Sequence, residues 1–130
     1  MSFRTIAVVL LAASLAFMGG CRTATIMNVK DAPVEVTGKQ VTTDEVKQAI
    51  LRAGATLGWQ MKETEPRNIV GTLFLRSHMA QVDIPYSNES YSILYKNSEN
   101  LKYDGTSIHS NYNGWVQNLD RAIRAQLLAM

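Results

Sequence analysis

The feature that most constrains the fold is a change in the spacing of apolar residues along the chain. Between Val46 and Leu57 they recur every three or four positions, which is typical of one face of a helix. From Trp59 to Lys96 they mostly alternate with polar residues, as in strands, and from Tyr112 the helical spacing returns. The order helix, strands, helix predicts an α+β domain.

The first helix has a start signal in its sequence. Thr42 can cap the amide of Glu45, and the Glu45 carboxylate can reach back to the amide of Thr42. Gly58 suits the left-handed residue that ends such a helix. We therefore predict a helix over residues 43–57.

Four alternating segments follow, and short polar turns separate them. The predicted strands are Trp59–Thr64, Ile69–Arg76, Ala80–Ile84 and Tyr91–Lys96. Turns are expected at residues 65–68 and at Ser77-His78, and Pro85 stops the third strand. Because the connections are short, an antiparallel meander is favoured over parallel crossovers.

The last part of the chain is predicted to be a loop followed by a helix. Residues 97–111 lack a regular apolar spacing, and Asp104-Gly105 is typical of a turn. Asn111 is an N-cap candidate for a helix that begins at about Tyr112. The whole pattern predicts a two-layer α+β sandwich. In it, a three- or four-stranded antiparallel meander carries the N-terminal and C-terminal helices on one face.

The face of the sheet turned away from the helices is expected to be partly apolar. If Leu73 and Leu75 point inward, Val70 and Phe74 lie on the other side of the same strand, which is either a docking surface or covered by another segment. Asp83 is expected on this open face, exposed to solvent.

Composition limits the functions to consider. The chain is 46% apolar and 18% charged, as in ordinary globular proteins, and its formal charge of +2 is too small to indicate nucleic-acid binding. A single cysteine excludes an intramolecular disulfide, so the domain depends on packing for its stability.

The first twenty residues have the pattern of an export signal. Arg4 supplies a positive charge, and residues 6–18 form an apolar run of 13 residues. As a helix this run reaches roughly 20 Å, which is short of the roughly 30 Å hydrocarbon core of a bilayer. Its length is therefore that of a signal sequence and not of a membrane span.

Gly19-Gly20-Cys21 resembles the lipobox of bacterial lipoproteins, with Met18 standing where leucine is usual. The resemblance implies lipidation of the Cys21 thiol, cleavage before Cys21 and acylation of the new amine. Two or three acyl chains anchor a protein stably in a bilayer. Arg22 after the cysteine resembles an outer-membrane address. The alternatives are an ordinary signal peptide with a chance cysteine, or an uncleaved anchor.

Three regions follow from this interpretation. Residues 1–20 are the predicted lipoprotein signal peptide, residues 21–41 a lipid-anchored tether, and residues 42–130 a single α+β domain. Within the tether, residues 34–36 can add one short edge strand.

The densest run of Tyr, Trp, Asn and His lies between residues 98 and 115. Within this run, Ile108-His109, Asn111-Tyr112-Asn113 and Trp115 stand at the start of the predicted last helix. Together with residues 82–86 and 91–95 they resemble an uncharacterised family of small Gram-negative envelope lipoproteins. The resemblance covers roughly residues 43–128, and it implies a fold and a compartment but no activity.

Residues of this run form a candidate ligand- or partner-binding surface, because such side chains stack on and hydrogen-bond to glycans and peptides. The candidates are Tyr103, His109, Asn111, Tyr112, Asn113 and Trp115. The alternative interpretation is structural: Ile108, Tyr112 and Trp115 dock the loop and helix, Asn111 caps, and His109 bonds a local carbonyl.

Catalysis and metal binding have little support in the sequence. A zinc site would need His78, His109 and a carboxylate such as Asp83, and their spacing does not suggest one. A hydrolase would need a serine near a histidine, but residues 105–109 lack the second glycine of a nucleophile elbow. No catalytic residues, metal or cofactor are therefore predicted.

The resulting hypothesis is an envelope lipoprotein, on the periplasmic face of the outer membrane, that holds a partner protein there without catalysing a reaction. The alternative is a glycan or small-molecule binding module that uses residues 103–115, and a hydrolase is less favoured. The expected partners are the bilayer, through acylated Cys21, and an envelope protein or glycan, but not nucleic acid.

Overall fold

The structure is a computed structural model that describes residues 22–130, so the predicted leader and Cys21 lie outside the described residues. Over this range the chain forms seven β-strands and two α-helices. In chain order they are β1 (Thr23–Thr25), β2 (Val29–Pro33), α1 (Thr43–Thr56), β3 (Gln60–Glu65), β4 (Asn68–Leu75), β5 (His78–Pro85), β6 (Ser90–Glu99), β7 (Ser107–His109) and α2 (Ser110–Leu128). The predicted α+β class is confirmed.

The main sheet is antiparallel, with five strands in the order β2-β6-β5-β4-β3. Its four consecutive strands β3 to β6 are the predicted meander. The expectation of three or four strands was wrong, because β2 adds a fifth strand beside β6. A separate two-stranded ladder joins β1 to β7.

The segment predicted as a tether, residues 21–41, is largely built into the fold. Thr23 pairs with His109 in the β1–β7 ladder, and Val29 pairs with Ile93 in the main sheet. The edge strand therefore covers residues 29–33 and not residues 34–36. The sequence of this segment is short and mixed, and its strand partners lie far along the chain, so no local pattern revealed the pairing.

Helix α1 begins at Thr43 as predicted and ends at Thr56, one residue before the predicted end. The Thr42 hydroxyl accepts a hydrogen bond from the amide of Glu45 at 3.1 Å, and the Glu45 carboxylate accepts one from the amide of Thr42 at 3.2 Å. Gly58 follows the helix with a φ of +84°, in the left-handed region that glycine adopts without a steric penalty.

The two faces of the main sheet differ as the alternation predicted. Ile69, Val82 and Ile93 lie in one core with the apolar faces of both helices. The helix residues of this core are Val46, Ala49, Ile50, Ala53, Tyr112, Val116, Leu119, Ile123 and Leu127. Val70 is buried but lies outside this core, and Phe74 is 61% exposed. The open face therefore carries apolar side chains of its own.

Two predicted boundaries were wrong. The β4–β5 reversal lies at Arg76-Ser77, so His78 is the first residue of β5. Arg76 adopts a φ of +57° in this turn. Residues 97–111 are also not all loop, because β6 continues to Glu99 and a short strand precedes α2. Among the described residues, no helix is both long enough and apolar enough to cross a membrane.

Candidate functional site

The segment from residue 98 to residue 115 connects β6 to α2 through a tight loop and β7. The Asp104 carboxylate organises this loop, because it accepts hydrogen bonds from the amides of Thr106 and Ser107 at 3.0 and 2.7 Å. These bonds hold the pKa of Asp104 below its usual value, chiefly through the Ser107 amide. The predicted Asp104-Gly105 turn is thus an ordered connection.

Tyr112 lies in the core and not on the surface. Its side chain is fully buried, with the ring of Tyr95 edge-on at 5.7 Å. Its hydroxyl has no hydrogen-bond partner within residues 22–130. Burial raises the pKa of this phenol, and the neighbouring phenols of Tyr95 and Tyr103 add to the shift. Tyr112 therefore stabilises the packing of α2 and is not accessible to a ligand.

Asn113 fastens α2 to the N-terminal segment. Its side-chain oxygen accepts a hydrogen bond from the amide of Met27, and its side-chain nitrogen donates one to the carbonyl of Thr25, both at 2.9 Å. One amide side chain thus satisfies two backbone groups of a segment that joins β1 to β2. This use of Asn113 is structural.

His109, and not Asn111, is the N-cap of α2. The His109 Nδ1 atom accepts a hydrogen bond from the amide of Asn111 at 3.2 Å. Asn111 itself lies in the first turn of the helix with its side chain exposed. The observed cap lies two residues before the predicted one. Strand β7 ends at His109 and α2 begins at Ser110 with no loop between them, so His109 is the residue that precedes the helix.

Tyr103 and Trp115 are the aromatic candidates that keep a surface. Tyr103 is 41% exposed and packs against the Tyr95 ring at 4.1 Å, beside an open concavity of about 470 Å³. Trp115 is half-buried, and its ring lies 6.4 Å from the ring of His78. Of the six candidates, Tyr103 lines this concavity and the other five do not.

The two histidines have partners in the fold. Their rings lie 6.1 Å apart, and the His78 Nδ1 atom forms a 2.7 Å hydrogen bond with the carbonyl oxygen of Asn100. Asp83 is on the open face, where it accepts a hydrogen bond from the side chain of Asn68 and pairs with Lys96. Within residues 22–130, no group of three or more His, Cys, Asp or Glu side chains is arranged to hold a metal ion.

The sequence did not reveal a group of exposed apolar side chains at one end of the sheet. This end, which we call the proximal end, contains the β4–β5 turn, the last residues of β6 and the start of α2. Leu75 shares the core side of β4 with Leu73 but is 45% exposed, because the β4–β5 hairpin extends past its buried neighbours. Period-two alternation predicts which side of a strand a residue occupies, but not whether another element covers it.

A second concavity, of about 580 Å³, lies at the opposite or distal end of the sheet. Its apolar lining residues are Val34, Val36 and Val41, and charged residues such as Glu35 and Glu89 surround them. This distal groove is formed by the segment between β2 and α1 together with the β5–β6 loop.

No protein-family model, curated protein or solved structure matches this chain. The function must therefore be argued from the residues and their geometry.

Proposed function

We propose that this protein is a lipoprotein of the cell envelope, anchored through acylated Cys21, that binds a partner protein and does not catalyse a reaction. One observation carries the proposal: within residues 22–130 the first strand begins at Thr23, two residues after the cysteine of the lipobox-like sequence. Lipobox cleavage before Cys21 would keep this strand and the rest of the described fold in the mature chain.

The use of the reactive side chains supports a binding role. His109 caps α2, the His78 ring bonds the carbonyl of Asn100, and Asn113 bonds the backbone of the N-terminal segment. These contacts give His78, His109 and Asn113 structural roles in the fold. The same contacts weaken the alternative of a glycan site built from residues 103–115, since Tyr112 is also buried.

We further propose a two-layer arrangement with both helices on one face of the sheet. It leaves the distal groove open to a partner. Three valines line the groove, and exposed Glu35, Lys39 and Glu89 surround them. An apolar centre with a charged rim is the usual composition of a protein-binding surface.

The anchor is tested with Cys21→Ser in the full-length chain, in cells given a fatty-acid probe. We expect the native chain to incorporate the probe and to fractionate with membranes. The variant should remain an unlabelled precursor. Asn111→Ala is the matched control, because it alters an exposed side chain and should be labelled like the native chain. Labelling of Cys21→Ser, or an unmodified Cys21 by mass spectrometry, would contradict the proposal.

The partner is tested by site-specific photo-crosslinking in intact cells. A crosslinking residue at Val36, in the distal groove, should give a discrete adduct with one envelope protein. The same residue at the exposed Arg121 of α2 should not. Identical patterns at both positions, or no adduct at Val36, would argue against the groove as the binding surface.

A further inference from the structure

The described chain begins at a fixed place in the fold. The carbonyl of Arg22 accepts a hydrogen bond from the amide of Ser110 at 2.7 Å, and Thr23 pairs with His109. Cys21 is two residues from Thr23, a stretch of chain that spans at most about 7 Å. Covalent geometry therefore limits how far an attachment at Cys21 can lie from the start of α2.

A series of hydrogen bonds connects this point to the β4–β5 turn. The amide of His109 donates to the carbonyl of Leu101 at 2.7 Å. The preceding residue, Asn100, bonds Ser77 of the turn and His78, the first residue of β5. Its carbonyl bonds the His78 ring at 2.7 Å, and its side-chain nitrogen donates to the Ser77 hydroxyl at 2.9 Å. The turn is thus held beside the first described residues.

Exposed apolar side chains concentrate at this end. Phe74 and Leu75 immediately precede the turn on opposite faces of β4, and they are 61% and 45% exposed. Leu57, at the end of α1, and Tyr103, after β6, are 40% and 41% exposed. The topology brings both to the same end of the sheet. We call these four residues the proximal surface.

The charges near the proximal surface have a small cationic excess. Arg22, Arg76 and Lys102 are exposed there, against the anionic Glu99 and Asp104. Cationic side chains next to apolar ones favour the surface of a bilayer with anionic lipids.

The distal end has a different charge. Exposed Glu35, Glu65 and Glu89 lie around the end of β2, the β3–β4 turn and the β5–β6 loop. Exposed Lys39 and Arg67 lie at the same end, so the anionic excess there is small. Acidic groups gain nothing from an anionic lipid surface, so the two ends of the sheet differ in their suitability for membrane contact.

We propose that the proximal surface docks on the lipid bilayer, so that the domain lies against the membrane with its distal groove directed away from it. This inference rests on the proposed attachment at Cys21 and adds an orientation to it. The β4–β5 hairpin, apolar on both faces at Phe74 and Leu75, would enter the headgroup region. The cationic Arg76 at its tip would remain among the phosphates.

The test uses the full-length chain, lipidated in cells and purified. It is then reconstituted in vesicles of phosphatidylethanolamine and phosphatidylglycerol that contain a brominated phospholipid. Cys21 is the single cysteine of the chain, so when it is acylated an introduced cysteine is the unique site for a fluorescent label. Leu75→Cys places the label on the proximal surface. Leu128→Cys, at the exposed end of α2, is the matched distal control.

We expect the brominated lipid to remove at least about half of the fluorescence at position 75, since apolar groups in the interface lie about 5–10 Å deep. The label at position 128 should keep its fluorescence. In a second variant, Phe74→Ser with Leu75→Ser should reduce the quenching of a label at Tyr103→Cys, whereas Leu128→Ser should not.

The outcomes separate this inference from the proposed anchor. If mass spectrometry shows acylated Cys21 but aqueous iodide and not the lipid quenches position 75, the orientation is wrong and the anchor stands. If neither quencher reaches position 75, a second copy of the chain covers the surface, and the inference is again overturned. If Cys21 is not acylated, the anchor and the orientation fail together.

Discussion

The two helices of this protein begin in different ways. Helix α1 starts with a capping box in which Thr42 and Glu45 satisfy each other's amides across three residues. Helix α2 starts at a junction, where His109 supplies the cap and Asn113 bonds the segment that joins β1 to β2. The first start is made by residues three positions apart. The second combines the local His109 cap with Asn113 bonds to residues 86 and 88 positions earlier in the chain.

The difference has a consequence for the anchor. Because the start of α2 is tied to residues 22–27, the place where the chain leaves the proposed lipid is part of the folded domain. A flexible tether would let the domain take any orientation, but a paired strand restricts it. If Cys21 is anchored as proposed, the contacts at the start of α2 would help to orient the domain, whereas the cap of α1 contributes to stability.

Removing Asn113 tests the junction most directly. Asn113→Ala should lower the free energy of unfolding by about 2 kcal/mol, because two hydrogen bonds are lost and two backbone groups lose their partner. Denaturant unfolding measures this, and the Met27 amide should lose hydrogen-exchange protection. Asn111→Ala, an exposed change in the same turn, should stay within about 0.5 kcal/mol of the native chain. Equal effects of the two variants would mean that the junction is not a stabilising contact.

Two tyrosine variants at α2 should change the free energy of unfolding in opposite directions. The Tyr91 hydroxyl donates to the Asp120 carboxylate of α2 at 2.5 Å, so Tyr91→Phe should destabilise the fold by about 1.5 kcal/mol. The Tyr112 hydroxyl, in the first turn of α2, is buried with no partner among residues 22–130. Tyr112→Phe should therefore raise the free energy of unfolding by about 1 kcal/mol. Thermal unfolding checks both, and destabilisation by Tyr112→Phe would reveal a bond to that hydroxyl.

The cap of α1 is tested by Thr42→Ala, which should cost about 1 kcal/mol of stability. Its effect should be confined to α1, so the Glu45 amide should exchange faster while the Met27 amide does not change. Thr42→Ser keeps the hydroxyl and should retain most of the stability. A variant that also loosened the start of α2 would show that the two helix starts are coupled.

The smallest expected effect is the pH dependence of the α1 cap. The side chain of Lys39 bonds Glu45 at 2.7 Å and, with the Thr42 amide, lowers the pKa of Glu45 from its usual 4.5. Because the folded pKa is the lower one, this contribution to stability is complete above pH 4.5. It is lost as the pH falls through the folded value.

An NMR titration in the Lys39→Ala variant should show the pKa of Glu45 moving back toward 4.5. Asp104 is the internal control. Backbone amides hold its pKa down, so the pKa of Asp104 should not change. A Glu45 pKa that did not respond would mean that Lys39 is not the main cause of the shift.

The success and failure of the sequence-based predictions follow the range of the interactions concerned. Helix α1 and strands β3 to β6 were predicted because the spacing of their apolar residues repeats within a few positions. The left-handed residue after α1 was predicted because Gly58 is a glycine. Strands β1 and β2 were predicted as a tether because three- and five-residue segments carry almost no periodic signal. The candidate binding surface at residues 103–115 stays a prediction, although the burial of Tyr112 removes one of its members. The structural alternative, in which Ile108 and Tyr112 dock the loop and helix, agrees with the burial of both residues. The sequence did not reveal that His109 replaces Asn111 as the cap.

By itself, the sequence determined the order of elements, the two sides of each long strand and the start of α1. Each of these depends on neighbours three or four positions away in a helix, or two in a strand. Only the tertiary structure decided that Arg22 and Thr23 belong to the fold and that Phe74 and Leu75 remain uncovered beside them. These outcomes depend on contacts between segments that are far apart in the sequence, and the spacing of apolar residues along the chain does not predict such contacts.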